Sequence, residues 1–176
     1  IAGITEFARM HRVDFAVVTP DDPLVLGCVD ALEAAGVPCF GPTADAAIIE
    51  GSKVFSKNLM KKYGIPTAAS ETFTDPAAAL AYLKGANYPT VIKADGLALG
   101  KGAVIVNSFE EAEKTVNEMM VERVFGASGD RILVEEFLTG PEVSVLSFTD
   151  GKTVVPMVSS MDHKRAKDND EGLNTG

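Results

Sequence analysis

Thr90-Val91-Ile92-Lys93-Ala94-Asp95-Gly96-Leu97-Ala98-Leu99-Gly100-Lys101-Gly102 is a β-rich run that delivers a lysine at its end and opens into a glycine-rich loop. A lysine at a strand end is a placed cation. Glycines at 96, 100 and 102 let backbone N–H groups approach an anion with no Cβ in the way. Together they point to a grip on a polyphosphate. Two familiar phosphate motifs do not fit. A Walker loop needs four residues between its first Gly and the Gly-Lys, then Ser or Thr, whereas Gly96 and Gly100 are separated by three and Gly102 follows the lysine. The spacing also misses the dinucleotide fingerprint G-x-G-x-x-G. The plain alternative is an edge lysine and an ordinary hairpin loop. Val91, Ile92 and Ala94 argue for an interior strand, and the loop lacks the Asn and Ser that ordinary turns favour. A flap closing over phosphates fits better.

Working outward, the strand Ala103 to Val106 pairs with Thr90–Ala94 as a hairpin, and Ser108-Phe109-Glu110-Glu111 reads as a capping box. Phe109, Ala112, Val116 and Met119 stripe the helix it starts, and Asp75-Pro76 opens an earlier helix that runs through Leu83. A strand from Arg131 to Phe137 completes an α+β unit over 65–136. Its end, Glu135-Glu136-Phe137-Leu138, sets two carboxylates side by side, where they are expected to repel each other. This is either a solvated strand end or an adenine site, with Glu135 as acceptor and the backbone from Glu136 to Leu138 as donor and acceptor; Glu142 would then lie near a ribose. Upstream, Val13 to Val18, a helix with Val25, Cys28, Val29 and Leu32 on one face, and Val37 to Phe40 form a parallel βαβ unit. Ligands of such sheets bind beyond the carboxyl ends of the strands, here Thr19 to Leu24 and Gly41-Pro42-Thr43. A further helix runs from about Ser52 to Tyr63, with Phe55, Leu59 and Tyr63 on its inner face and Lys57, Lys61 and Lys62 outside. Lys53 adds charge at its N-terminus, where anions are already favoured. Gly64-Ile65-Pro66 ends that helix and marks a boundary, giving domains 1–64, 65–136 and 137–176. The last of these begins with a hairpin, Val143 to Phe148 and Val154 to Val158, turning at Thr149-Asp150-Gly151-Lys152. The loop Met161-Asp162-His163-Lys164-Arg165 is either solvated or a clamp for an anionic substrate.

Composition narrows the class. The chain has 176 residues, 46% of them apolar, enough for one full domain or two small ones with a packed core. A formal charge of −9 speaks against a nucleic-acid binder or an anionic membrane surface, both of which need a basic face. Cys28 and Cys39 sit in apolar runs and read as small buried hydrophobes of a reducing compartment. With two histidines at unrelated spacing, no metal site is read, and no Ser-His-Asp or Cys-His set supports covalent hydrolysis. The sequence shows no signal peptide, lipidation motif or long apolar span, so the cytoplasm is the expected compartment. The chain begins at Ile1 and stops after a polar loop, and it reads as a piece of a longer protein.

The sequence resembles the ATP-grasp enzymes and, among them, the phosphoribosylamine–glycine ligase family. The resemblance rests on Cys39-Phe40-Gly41-Pro42, Glu50-Gly51-Ser52-Lys53, Tyr63-Gly64-Ile65-Pro66-Thr67-Ala68, Lys93-Ala94-Asp95-Gly96-Leu97-Ala98, Gly100-Lys101-Gly102, Glu135-Glu136-Phe137-Leu138, Asp162-His163-Lys164-Arg165 and Asn174-Thr175-Gly176. It implies an α/β chain made of the end of a Rossmann-like (pre-ATP-grasp) N domain, an α+β ATP-grasp lid, and the start of the main ATP-grasp half. It implies that Lys53 and Lys93 contact ATP phosphates, that the loop Gly96, Leu97, Gly100, Lys101 and Gly102 covers them, and that Glu135, Glu136, Phe137, Leu138 and Glu142 surround the nucleoside. Asp162, Lys164, Arg165, Asn174 and Thr175 match the family's substrate-binding strings, and Pro23 and Leu24 its phosphoribosylamine segment.

The implied reaction is ATP-dependent ligation of glycine to 5-phosphoribosylamine through a glycyl phosphate, with Mg2+ or Mn2+, in purine synthesis by a monomeric enzyme. The other readings are a ligase of the biotin-carboxylase type, or a nucleotide-binding module without catalysis. Two departures stand out: Thr19-Pro20-Asp21-Asp22-Pro23-Leu24 replaces the expected Gly-Pro-Glu-Ala-Pro-Leu, and Leu99 replaces an alanine. The family's Gly-rich N-terminal turn and magnesium-binding Glu and Asn have no match here, and its catalytic groups are expected past Gly176. The chain alone is therefore expected to be inactive.

Overall fold

The computed structural model describes residues 1–98, 101–161, 165–168 and 171–174. They divide into two compact units, 1–137 and 138–176.

The first unit is organised around a four-stranded antiparallel sheet. β4 (Thr90–Ala94) lies between β5 (Ala103–Val106) and β6 (Ile132–Glu136), with β3 (Ser70–Phe73) outside β6. Successive side chains on a strand point to opposite faces, so the apolar residues at alternate positions select a core face. Ile92, Ala94, Ile132, Val134 and Val106 are buried on that face. They pack with Ala79 and Leu83 of α6 (Pro76–Leu83), Ala112 and Val116 of α7 (Phe109–Val116), and Met119 of the π turn that follows. The other face takes Val91, Lys93, Leu133 and Glu135. There Val91 stands opposite Glu135 and Lys93 opposite Leu133, which makes Lys93 and Glu135 diagonal neighbours.

Local signals fix the helices that cover the core. Asp75 accepts hydrogen bonds from the Ala77 and Ala78 amides, with Pro76 at the first helical position. Ser108 caps α7 through the Glu111 amide as expected. The return bond differs: Glu111 accepts from the Asn107 amide and side chain, one residue upstream of the Ser108 amide that a capping box would use.

The N-terminal part contains the expected parallel pair, β1 (Ala16–Val17) beside β2 (Cys39–Phe40), with α1 (Ala2–Met10) before it. Three expectations change. The first strand is shorter than Val13–Val18, because the Val13 amide still bonds back to Ala8. The single crossover helix is two, α2 (Asp21–Val25) and α3 (Cys28–Ala34), separated by Gly27 at φ 80°, a left-handed conformation that glycine adopts without strain. Val25 thus leaves the face on which Cys28, Val29 and Leu32 pack against Ala8, Val18 and Val37. Cys28 is buried and Cys39 only partly so; both thiols are free. α4 (Ala44–Gly51) and α5 (Lys53–Tyr63) then lead to the sheet, and α5 ends at Gly64 in a left-handed cap.

In the second unit β7 (Ser147–Thr149) pairs with β8 (Val154–Pro156), and β9 (Arg165–Lys167) with β10 (Glu171–Asn174), both antiparallel. The β7–β8 turn is the one expected, with Gly151 at φ 86° and Asp150 accepting from the Lys152 and Thr153 amides, which hold its carboxyl below the usual carboxylate range.

Leu83 is fully buried at the centre of the first core. Leu83→Ala is expected to lower the stability of the protein by about 3 kcal/mol, a shift that urea unfolding followed by circular dichroism measures directly.

Candidate functional site

The polar face of the sheet is built around Glu135. Its side chain is 5% exposed, and both oxygens are engaged: Lys93 Nζ donates to Oε2 at 2.7 Å, and Lys57 Nζ lies 3.5 Å from Oε1. Lys93 reaches it across the β4–β6 ladder, and Lys57 from α5. Glu136, next along β6, points the other way, where it is exposed and accepts from the Ala69 amide. The repulsion expected between adjacent carboxylates is thus removed by strand alternation.

Lys57 contradicts the sequence reading. Helical periodicity puts it on the outer face of its helix with Lys61 and Lys62, yet its side chain is 9% exposed and it donates to Thr67 Oγ1 at 2.7 Å and the Ala68 carbonyl at 3.0 Å. Val54 is buried beside it, while Phe55 and Tyr63, expected inside, are exposed. Lys61 is exposed overall but donates to the Ser70 carbonyl. The apolar residues of α5 were a poor guide, because its inward face meets the polar face of the sheet.

A second carboxylate locks the start of α5 to the end of β4. Asp95 Oδ1 accepts from Ser52 Oγ at 2.9 Å and from the Val54 amide at 2.8 Å; Oδ2 accepts from Arg131 Nε at 2.8 Å and is ion-paired with Nη2. Ser52 caps α5 through the Phe55 amide. Lys53, the first residue of α5, donates from its backbone to the Asp95 carbonyl at 3.1 Å and from Nζ to the Gly96 carbonyl at 2.9 Å. Burial pushes its pKa below the ordinary lysine value and nearby Lys93 pushes the same way, against the pull of Asp95, Glu50 and Glu135. Lys53, Lys57, Lys93 and Arg131 therefore outnumber Asp95, Glu135 and Glu50 on this face, a surplus that an anion would neutralise.

The loop base is tightly packed. A Cβ on Gly96 would lie 2.5 Å from Ser128 Oγ, and one on Gly102 would lie 2.6 Å from the Ala98 Cβ. Ser128 donates to the Leu97 carbonyl at 2.7 Å, and the Ala94 amide to the Gly102 carbonyl at 2.8 Å. Both glycines are thus required by close packing, a reason separate from access to an anion. Lys101 is exposed, and Gly100 lies outside the described residues.

Among the other expected site residues, Phe137 is half-buried in the first unit, while Leu138 and Glu142 belong to the second and are exposed. Pro23 and Leu24 lie on α2 just after β1, with Leu24 packed on the N-terminal core. Arg165 and Asn174 are strand residues of β9 and β10; Asp162, Lys164 and Thr175 lie outside the described residues. Sequence reasoning missed Lys57, Asp95, Arg131 and Ser52. Ser52 alone carried a local signal, a serine directly before a helix.

Comparisons with known proteins match this arrangement to one family. The phosphoribosylglycinamide synthetase N-domain model matches residues 1–50, and the phosphoribosylglycinamide synthetase ATP-grasp (A) domain model matches residues 51–176. The chain is 51% identical over 176 residues to phosphoribosylamine–glycine ligase of Yersinia pestis, covering 100% of this chain and 41% of that protein. It is also 51% identical over 176 residues to the trifunctional purine biosynthetic protein adenosine-3 of Gallus gallus, covering 99% of this chain and 18% of that protein. The crystal structure of phosphoribosylamine–glycine ligase from Thermotoga maritima superposes with a TM-score of 0.72 at 39% identity, over 78% of this chain and 35% of that one. Biotin carboxylase from Campylobacter jejuni gives a TM-score of 0.75 at 19% identity, over 88% of this chain and 36% of that one, a likeness of fold. The chain thus spans about two-fifths of the bacterial ligase it matches.

Asp95→Ala removes the acceptor of one amide, one hydroxyl and one guanidinium at a nearly buried position. It is expected to cost about 3 kcal/mol by urea unfolding, against about 2 kcal/mol for Ser52→Ala, which deletes the cap and one donor to Asp95 but leaves that carboxylate its amide and guanidinium partners.

Proposed function

The chain belongs to the phosphoribosylglycinamide synthetase family, and from that premise we propose that its lysine face binds the polyphosphate of ATP in a carbon–nitrogen ligase. The ligase joins glycine to 5-phosphoribosylamine and releases glycinamide ribonucleotide, ADP and phosphate. The observation that carries the reading is the placement of Lys93 and Lys53: two cations on separate elements at the base of one glycine loop, their backbones fixed by the sheet and by Asp95.

In this reading Lys93 and Lys53 hold phosphate oxygens, and Gly96, Leu97, Gly100, Lys101 and Gly102 form the flap. Glu135 and the backbone of Glu136, Phe137 and Leu138 receive adenine; each Glu135 oxygen has a second lone pair for an amino group beyond its lysine. Glu142 serves the ribose. Pro23, Leu24, Asp162, Lys164, Arg165, Asn174 and Thr175 serve the other substrates, and the domains run 1–64, 65–136 and 137–176. ATP activates the glycine carboxylate as an acyl phosphate, which the amine of phosphoribosylamine attacks with loss of phosphate. The chain's own contribution is to position the phosphates and neutralise their charge. A flap that excludes water protects the acyl phosphate from hydrolysis. Magnesium or manganese would accompany the nucleotide. Among the described residues no three His, Cys, Asp or Glu side chains gather to hold a metal.

The partners in this reading are small molecules, with no nucleic acid and no membrane, in a cytoplasmic monomer. Among the described residues no helix is long and apolar enough to cross a membrane. The likeness to biotin carboxylase concerns fold and gives no separate support to carboxylation.

The test uses the complete protein that carries this chain. ADP release is expected to require glycine and phosphoribosylamine together; release that requires bicarbonate and biotin instead would favour a carboxylase. Lys93→Ala is expected to weaken ATP binding by about 2 kcal/mol, roughly 30-fold, and an unchanged dissociation constant would remove Lys93 from the site. Proton linkage gives a separate check. Burial lowers the Lys53 pKa, and a bound phosphate would raise it again, so in alkaline solution below the ordinary lysine pKa the complex holds more protons than the free protein. Calorimetry in two alkaline buffers of different ionisation enthalpy is expected to show proton uptake on ADP binding, lost in Lys53→Met.

A further inference from the structure

We infer that Lys57 sets the positive charge that Lys93 presents to the nucleotide phosphates, acting as a positioning residue through the Glu135 carboxylate between them. The inference rests on the nucleotide reading above and goes beyond it, because Lys57 cannot touch the ligand itself. It is 9% exposed, and its ammonium donates to Thr67 Oγ1 and the Ala68 carbonyl and is ion-paired with Glu135 Oε1 at 3.5 Å. Lys93 is 30% exposed and spends one donor on Glu135 Oε2. The outer lysine keeps donors to give on an accessible side; the inner one is closed off from solvent.

The electrostatics follow from counting charges around one carboxylate. A Lys93–Glu135 pair alone is neutral, and a phosphate approaching Lys93 would also meet the carboxylate 2.7 Å behind it. With Lys57 3.5 Å from the other oxygen, the trio carries a net positive charge, and Lys93 is its accessible member. The effect is stronger at a buried carboxylate than in water, because the medium screens it less. The charged side chains paired with Glu135 come from two elements, Lys93 from β4 and Lys57 from α5, with Lys53 of α5 close enough to feel it. An apolar side chain of similar length would fill the space but would leave the Thr67 hydroxyl, the Ala68 carbonyl and Glu135 Oε1 without this partner, and of these only Glu135 calls for a full positive charge. The choice of a cation at position 57 is explained by the carboxylate it offsets.

The test compares ADP with adenosine, which lacks phosphates, on the complete protein carrying this chain. ADP is followed by calorimetry and adenosine by proton NMR titration. Lys57→Met is expected to weaken ADP about tenfold and to leave adenosine unchanged. Adding Glu135→Gln, which keeps an acceptor oxygen without its charge, is expected to bring ADP back to within about threefold of the parent protein. Three results overturn the inference: an unchanged ADP affinity in Lys57→Met, an equal loss for ADP and adenosine, or a double variant as weak as the single one. If the parent protein does not bind ADP at all, the nucleotide reading falls and this inference falls with it. Normal ADP binding by the parent with no response to Lys57→Met removes the inference alone.

Discussion

The Glu135 carboxylate lies between two ammonium groups, Lys93 on the neighbouring strand at 2.7 Å and Lys57 on α5 at 3.5 Å, in a place that water scarcely reaches. A carboxylate so buried is tolerable only when both oxygens are engaged, and removing either partner would strand charge in a poorly screened environment. This constraint shapes the rest of the first unit. It requires the register that brings Lys93 diagonal to Glu135, it requires α5 to lie with Lys57 toward the sheet, and it keeps one sheet face polar while the other packs on α6 and α7.

Asp95 repeats the device at the strand end. It takes the Ser52 hydroxyl and Val54 amide of the helix start on one oxygen and the Arg131 guanidinium on the other, so helix, strand and loop meet at a fixed point. For the proposed phosphate grip, the consequence is pre-organisation. The Lys53 and Lys93 backbones belong to regular elements, and their ammonium groups already rest on Gly96 and Glu135. The conformational entropy of two long side chains is largely lost before an anion arrives, which leaves more of the interaction for affinity.

Much of this was legible because its signals are local. The strand Thr90–Ala94, its hairpin partner, the Asp75-Pro76 helix start and the Thr149–Lys152 turn each depend on neighbours within a few positions, and the structure has all of them. What was not legible depends on partners distant in sequence. Lys57 reads as a solvated face because helical periodicity ranks lysine as polar, and the carboxylate that draws it inward is on a strand far along the chain. Asp95 reads as a loop residue among glycines, since nothing near it announces a helix start 41 residues before it in sequence. Adjacent carboxylates at 135 and 136 read as a repelling pair, and the pleat separates the two side chains. Gly27 inside an apolar helical pattern gave no warning that the helix would break there.

The most direct measurement is a crystal structure of the complete protein with a non-hydrolysable ATP analogue. The expected result has phosphate oxygens within hydrogen-bond distance, about 3 Å, of Lys93 Nζ and Lys53 Nζ, with Lys57 still against Glu135 and the loop from Gly96 to Gly102 over the phosphates. A nucleotide bound elsewhere, or phosphates out of hydrogen-bond reach of both lysines, would contradict the assignment of this face as the polyphosphate grip.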